Sequence, residues 1–226
     1  MNKEFKVVDL THTLSPEILT WDGSCGFEMA TTLDYADCTH PDLFRKHSLK
    51  MECGIGTHID APAHVVLDGR TVDKLIMEEL VTGCIVIDVS SEAHENYMIM
   101  PEVVEKFEKK YGEIKSNSFV IFYTGWDKHW NDTEKYNNNH KFPSVDISTA
   151  KLLMERNIAG LGIDTLSADT GINGFPVHRE ILGADKYLVE NVANARELPS
   201  SGSRILVLPM KIKDGTEAPV RLVAFI

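Results

Sequence analysis

The chain has 226 residues, of which 43% are hydrophobic and 25% are charged, and its formal net charge is -11 at pH 7. This length and balance predict one globular domain over residues 1–226, with a core large enough to fold without disulfide or metal staples. The acidic balance, with no basic run to offset it, argues against nucleic acid and anionic membranes as partners.

The N-terminal residues and the spacing of the cysteines predict the cellular compartment of the protein. The first residues are charged and no apolar stretch approaches the length of a membrane span, so neither a signal peptide nor a transmembrane segment is predicted. The cysteines lack C-x-x-C spacing and stand at Cys25, Cys38, Cys53 and Cys84. Such scattered cysteines are typical of reduced thiols in a cytoplasmic protein, which is our expectation, although the pattern leaves a disulfide open.

Strand-like segments alternate with helical patterns along the chain. Strands are predicted over 4–14, 47–55, 84–89, 118–123, 158–164, 186–192, 203–212 and 220–226, with a helix as the alternative for 186–192. Helices are predicted over 72–80, from Pro101 onwards and over 147–156. The polar connections include 15–28, 34–41 and 125–142, the last of them a functional or surface loop. This alternation predicts an α/β protein with a mixed central sheet.

Residues 54–64, with the sequence G-I-G-T-H-I-D-A-P-A-H, concentrate groups suited to metal binding and acid–base chemistry. His58 and Asp60 share a face if the segment is extended, whereas in a helix they would lie about 200 degrees apart. Pro62 disfavours helical geometry before it, so His64 can reach the same pocket from beyond. Neighbouring imidazole and carboxylate groups suit zinc, or manganese where more oxygen ligands are supplied. The alternative is a turn whose polar groups only form hydrogen bonds.

This stretch resembles the H-x-G-T-H-x-D-x-P-x-H signature of the cyclase family of metal-dependent hydrolases, the family of the kynurenine formamidases and isatin hydrolases. The similarity runs through nearly the whole chain. Trp21-Asp22-Gly23 is similar to a family W-x-G at the substrate pocket, and residues 162–165 resemble its G-I-D-T. His178 and Glu190 match a late His and a Glu followed by Asn, at the same separation. The resemblance implies a swivelling β/β/α fold, a divalent metal site and hydrolysis of an amide or cyclic amide.

The resemblance also implies residue roles. The metal ligands, for zinc or manganese, are expected to be His58, Asp60, His178 and Glu190. His64 is the expected proton-transfer group, and Trp21 is expected to bind substrate, with simple packing as the alternative for this tryptophan. The implied partners are a small-molecule substrate and further copies of the chain, as a homodimer or a larger homo-oligomer.

One position departs from the signature, and the departure falls on a ligand. Gly54 stands where the family has its first histidine, so one imidazole is missing. Glu52 lies on the same face of the predicted strand and is the possible substitute ligand, with water or no ligand at all as the alternatives. An oxygen-rich ligand shell favours manganese over zinc, because imidazole is one of the ligands that bind zinc most strongly. We therefore expect weaker metal binding than in family members with the full motif.

Together these residues predict a hydrolase in which a metal-activated water attacks a carbonyl carbon while His64 transfers the proton. A hydrolase of lactones and a non-catalytic protein that binds a metal or small ligand are the alternatives. Gly54 favours the non-catalytic protein, whereas His64 favours the enzyme because metal binding alone does not require it. The turn between Asp164 and Asp169 is expected to shape a loop rather than to take part in chemistry.

Overall fold

The computed structural model describes residues 5–18, 20–24, 26–172 and 174–226. Glu4 and Cys25, which the sequence predictions cover, lie outside these residues. In chain order, strands β1 to β12 are Val7–Asp9, Phe27–Leu33, Lys46–Met51, His58–Asp60, Val81–Asp88, Met98–Ile99, Phe119–Tyr123, Ser144–Val145, Gly160–Ile163, Tyr187–Glu190, Ser203–Pro209 and Glu217–Phe225. Helices α1 to α5 are Met77–Leu80, Pro101–Tyr111, Thr133–Asn137, Ile147–Glu155 and Pro176–Gly183.

The main sheet is mixed and closed. Its strand order is β1, β12, β11, β5, β7, β9, β10, β4, and β4 also pairs with the beginning of β12, which closes the sheet into a barrel. The strands β5, β7, β9 and β10 run parallel to one another, and the other pairings are antiparallel. The predicted α/β class with a mixed central sheet is confirmed. The closure is a tertiary feature that the strand pattern did not predict.

Alternation along the strands divides the buried side chains between two cores. Phe119 and Tyr187 belong to the core inside the barrel, whereas Phe122 packs in the layer between the parallel strands and helices α2, α4 and α5. The rings of Phe119 and Tyr187 stack with centroids 5.7 Å apart. A Cβ at Gly160 would lie 2.5 Å from the Tyr187 ring, and one at Gly162 would lie 2.9 Å from the Phe119 ring. Glycine at both positions therefore gives the two rings their space inside the barrel.

Several predicted elements are confirmed and others differ. Pro101 is the first residue of α2, the side chain of Asp146 caps α4, and 186–192 contains a strand. The segment 72–80 forms a 3-10 turn followed by the four-residue helix α1, and 125–142 contains short helices rather than an open loop. The last strand begins at Glu217, three residues before the predicted start, and this difference changes the site.

Strands β2 and β3 form a separate antiparallel ribbon. Met29 and Leu49 face each other across it and are 57% and 56% exposed. Neither strand of the ribbon contributes a residue to the core inside the barrel or to the core under the helices. The ribbon leads into the segment that begins at Gly54.

The remaining cysteines agree with the expectation of reduced thiols, since Cys38, Cys53 and Cys84 are free. Within the described residues, none of the helices has the length and apolarity that crossing a bilayer requires.

Candidate metal centre and active site

Strand β4 is the seam at which the barrel closes, and it presents His58 and Asp60 on its outer face. Ile59 lies between them and points into the barrel core. One neighbouring strand, β10, places Glu190 opposite His58, and the other, β12, places Glu217 opposite Asp60. Residues directly opposite each other in antiparallel strands have Cβ atoms about 4.5–5.5 Å apart on the same face. Three strands thus assemble one imidazole and three carboxylates.

Helix α5 places a second imidazole over this face. The Nε2 atom of His178 lies 3.4 Å from Glu190 Oε1 and 3.7 Å from Asp60 Oδ2. The Nε2 atom of His58 lies 3.5 Å from Asp60 Oδ1 and 3.7 Å from Glu190 Oε2. The structure therefore brings together all the residues that the resemblance implied as ligands.

The potential ligands form two overlapping groups. Asp60, His178 and Glu190 make one group, and His58, Asp60 and Glu217 make the other; in each, the ligand atoms lie within 4.8 Å of one another. Asp60 belongs to both. This geometry suits two neighbouring cations that share one carboxylate.

Asp60 provides the test of whether a cation fits. It is 1% exposed, and among the described residues neither of its carboxylate oxygens has a hydrogen-bond partner. A buried carboxylate without a hydrogen-bond partner is destabilising by several kcal/mol. A divalent cation between these oxygens and the neighbouring imidazole nitrogens removes that penalty, and carboxylate and imidazole groups are ligands for both zinc and manganese. The residues fit a metal.

Both imidazoles are held with Nε2 towards the carboxylates. His58 Nδ1 lies 2.9 Å from the carbonyl oxygen of Gly56, and His178 Nδ1 lies 2.8 Å from Asp169 Oδ2. When Nδ1 donates to these acceptors, Nε2 presents its lone pair to a cation, as is usual for metal-binding histidines. Asp169 also accepts the backbone N–H groups of Val177 and His178, so it fixes the beginning of α5 as well.

The electrostatics of the site favour added positive charge. Burial lowers the pKa of His178, but the hydrogen bond to Asp169 and the charges of Glu190 and Asp60 outweigh burial and raise this pKa to about 9. The pKa of His58 is also raised, because the same two buried carboxylates outweigh the effect of burial. Burial raises the pKa of Glu190, and the charge of Asp60 adds to this effect. Excess negative charge thus draws either protons or a metal cation into the site.

His64 lies in the 3-10 helix Pro62–His64, beside the two ligand groups. Its Nδ1 atom lies 3.4 Å from Glu217 Oε2, and its side chain is 33% exposed. The hydrogen bond to Glu217 outweighs burial and raises the pKa of His64. Burial raises the pKa of Glu217, but the His64 contact and the nearby imidazole charges together lower it. A partly exposed imidazole in this position can exchange protons with a bound substrate.

A cavity of about 520 Å³ opens onto the site, and both His64 and Trp21 line it. The Trp21 ring stacks on His140 with centroids 3.9 Å apart and meets Phe175 edge-on at 5.3 Å. Arg179 also lines the cavity and is exposed; its Nη1 donates to the carbonyl oxygen of Gly174, and it forms no ion pair with the residues that the structure describes. The cavity therefore combines aromatic walls with one available guanidinium group.

Glu52 and Glu217 mark the largest difference from the sequence expectations. Glu52, the possible substitute ligand, is exposed and belongs to neither ligand group found among the described residues; Glu217 lies there instead. Glu217 was missed because the last strand was predicted to begin at Val220. An apolar residue at every second position, 218, 220, 222 and 224, was the signal that extends this strand back to Glu217.

The turn between residues 164 and 169 has two roles, of which the shaping of the backbone was predicted and the orientation of a site residue was not. Asp169 orients His178, as described above. Asp164 is buried and accepts hydrogen bonds from the backbone N–H groups of Thr124 and Trp126 at 2.8 and 3.0 Å. Burial raises the pKa of Asp164 to about 6. Asp164 therefore ties the ends of β7 and β9 together beside the site and belongs to neither ligand group.

Known proteins resemble this chain in both sequence and structure. The Cyclase family model matches residues 8–170, well over half of the chain. The chain belongs to the Cyclase family. The isatin hydrolase of Roseibium aggregatum is 29% identical to this Cyclase-family chain in a 187-residue alignment that covers 76% of this chain and 71% of that protein. The kynurenine formamidase of Salinibacter ruber is 24% identical in a 221-residue alignment that covers 96% of each chain.

Solved structures show the same relationship for this Cyclase-family protein. Isatin hydrolase A from Labrenzia aggregata, bound to benzyl benzoate, superposes with a TM-score of 0.86 at 31% identity, covering 98% of this chain and 94% of that one. The swivelling β/β/α fold that the resemblance implied is thereby confirmed. The relatives are hydrolases, and the described residues of this chain include a possible metal site.

Proposed function

We propose that this Cyclase-family protein is a metal-dependent hydrolase that cleaves a C–N bond in an amide or a cyclic amide. The observation that supports this most is Asp60. It is a buried carboxylate with no hydrogen-bond partner among the described residues, it lies 3.5–3.7 Å from two oriented imidazoles, and it lies beside a cavity that also contains His64. Relatives named isatin hydrolase and kynurenine formamidase support the same reaction class.

In this proposal the ligands are His58, Asp60, His178 and Glu190, and the cation is zinc or manganese. When bound, the cation supplies a water of lowered pKa and polarises the substrate carbonyl. His64 would accept a proton from the attacking water and return a proton to the leaving nitrogen. Glu217 holds the His64 ring through Nδ1, so the Nε2 atom of His64 is the atom available for transfer.

The cavity favours one class of substrate. Trp21 and Phe175 provide aromatic surface, and Leu166 and Val65 provide apolar surface around it. Such walls suit an aromatic amide or an amide fused to an aromatic ring. Arg179 adds a guanidinium that suits a carboxylate on the substrate or on the product. We therefore place aromatic, carboxylate-bearing amides first among the candidate substrates.

A substrate panel tests the proposal. Purified protein is incubated with N-formyl aromatic amines, cyclic aromatic amides and lactones, after chelation and after re-addition of zinc or manganese. We expect hydrolysis of at least one amide that is lost on chelation and restored by metal. Asp60→Asn is the matched variant and is expected to be inactive. Turnover of lactones alone would replace amides as the substrate class, and ligand binding without turnover would indicate a non-catalytic member of the fold.

A further inference from the structure

Gly54 stands where the resemblance predicts a ligand, and the structure gives a physical reason for the glycine. Its φ does not fall in the left-handed region, so its backbone conformation is open to any residue. A side chain is excluded instead by a neighbour, because a Cβ built on Gly54 would clash with Glu217 Oε1. The same Cβ would lie 3.5 Å from His58 Nε2. The space for a residue 54 side chain is therefore filled by a carboxylate from β12.

This carboxylate has two different contacts. Its Oε1 atom occupies the space in front of Gly54, towards His58, and the carboxylate belongs to the ligand group with His58 and Asp60. Its Oε2 atom lies 3.4 Å from His64 Nδ1. The strand register fixes this position, since Glu217 lies directly opposite Asp60. The Asp60 oxygens that lack partners face the space that Glu217 borders.

We propose that Glu217 replaces the missing imidazole as a metal ligand, and that Gly54 is the residue that makes room for it. This inference rests on the proposed function and adds to it one specific ligand and one specific exchange of residues. His58, Asp60 and Glu217 then form one cation position, and Asp60, His178 and Glu190 form the other.

The exchange has a chemical consequence. An imidazole nitrogen at residue 54 is replaced by a carboxylate oxygen at residue 217, so the described ligand set contains three carboxylates and two imidazoles. Oxygen ligands favour manganese, whereas nitrogen ligands favour zinc. Glu217 also contacts His64, so its loss affects both metal binding and the orientation of the proton-transfer group. Metal binding must therefore be measured directly rather than inferred from activity.

The first test compares Glu217→Gln with the wild type by manganese titration of the chelated protein and by elemental analysis. Glu52→Gln is the matched control, since Glu52 lies close to Gly54 in the chain but is exposed and outside both ligand groups. We expect two manganese ions per chain in the wild type and in Glu52→Gln. In Glu217→Gln the second ion should bind more than about 100-fold more weakly, because loss of an outer partner alone weakens binding about 10–100-fold. Unchanged binding in Glu217→Gln overturns the proposal.

The second test asks whether Gly54 and Glu217 are coupled. In the wild-type background, Gly54→Ala should push the Glu217 carboxylate away and weaken the binding of the second ion. In a Glu217→Gly background the same change should have no effect, because no carboxylate remains to be displaced. Equal losses in both backgrounds overturn the proposal. Thermal melting of each variant in chelator shows that the comparison is made between folded proteins.

A third variant restores the motif histidine. Gly54→His combined with Glu217→Gly should restore the binding of the second ion. It should also raise the preference for zinc over manganese at least about tenfold relative to the wild type. A recovered ion with the wild-type metal preference would contradict the proposal.

These results separate the ligand assignment from the proposed reaction. If the wild type binds two ions, Glu217→Gln loses one and no amide is hydrolysed, the ligand assignment is supported and the proposed function fails. If amides are hydrolysed and Glu217→Gln keeps the wild-type metal content, the assignment fails and the proposed function is unaffected.

Discussion

Asp169 accepts a 2.8 Å hydrogen bond from Nδ1 of His178 and, with the same carboxylate, the backbone N–H of that residue. One side chain thereby fixes both the direction of the imidazole and the first turn of α5. A carboxylate partner on the far nitrogen of a metal-binding histidine holds the ring and increases its basicity. Asp169 is accordingly a positioning residue for the candidate metal centre.

Asp169→Asn should weaken metal binding about 10–100-fold, because the amide accepts fewer hydrogen bonds and lacks the charge that supports His178. Competition with a chromogenic chelator measures this affinity. Asp146→Asn is the control, since Asp146 caps α4 and lies in neither ligand group. Equal affinities in Asp169→Asn and Asp146→Asn would assign Asp169 to the helix start alone.

His64→Asn should reduce kcat by about 10²–10⁴-fold while leaving the metal content of the protein unchanged, because general acid–base catalysis supplies a factor of this size. His64 contacts Glu217 but belongs to neither ligand group. Elemental analysis and steady-state kinetics are run in parallel, with the exposed His94→Asn as the control. Loss of metal from His64→Asn would show that His64 is a ligand.

His178→Ala and Glu190→Gln should each weaken metal binding, although both residues lie far along the chain from His58. Each one contributes an atom to the same group as Asp60, and a catalytic site requires more than two protein ligands. Calorimetric titration with manganese and with zinc measures the effect. Wild-type affinity in both variants would assign the pair to substrate binding or to folding.

Arg179→Gln should raise KM about tenfold for an amide that bears a carboxylate and leave KM unchanged for a neutral amide of the same size. Arg179 lines the cavity, forms no ion pair with the described residues and donates from Nη1 to the Gly174 carbonyl oxygen, so its remaining N–H groups are available to an anionic group. Arg204→Gln, an exposed arginine on β11 outside the cavity, is the control. An equal change in KM for both substrates would contradict this role.

Asp164 should make the free energy of unfolding of the protein depend on pH. Its folded pKa, raised to about 6 from 3.8 by burial, means that the native state binds the proton more tightly than the unfolded chain. Its contribution to the free energy of unfolding, up to roughly 3 kcal/mol, is therefore present below about pH 4 and is lost as pH rises to about 6. Urea unfolding in chelator should show the wild type losing this much relative to Asp164→Asn between pH 4 and 7. Parallel profiles would contradict the expectation.

The sequence by itself determined the local part of the site. His58 and Asp60 share a face because strand geometry repeats every two residues, and this holds whatever the strand pairs with. Pro101 and Asp146 set their helix starts for equally local reasons. Local pattern could not show that Glu190 and Glu217 lie on either side of β4, and the resemblance supplied Glu190 but gave no sign of Glu217.

Only the tertiary structure decided how the barrel closes. Because β4 pairs with both β10 and β12, residues far apart in the chain lie opposite His58 and Asp60. This register depends on packing throughout the closed sheet, and a shift of one residue would turn Glu217 to the other face. The close approach of Glu217 to Gly54 is set by the same long-range packing. It is not encoded in the spacing of residues along the chain.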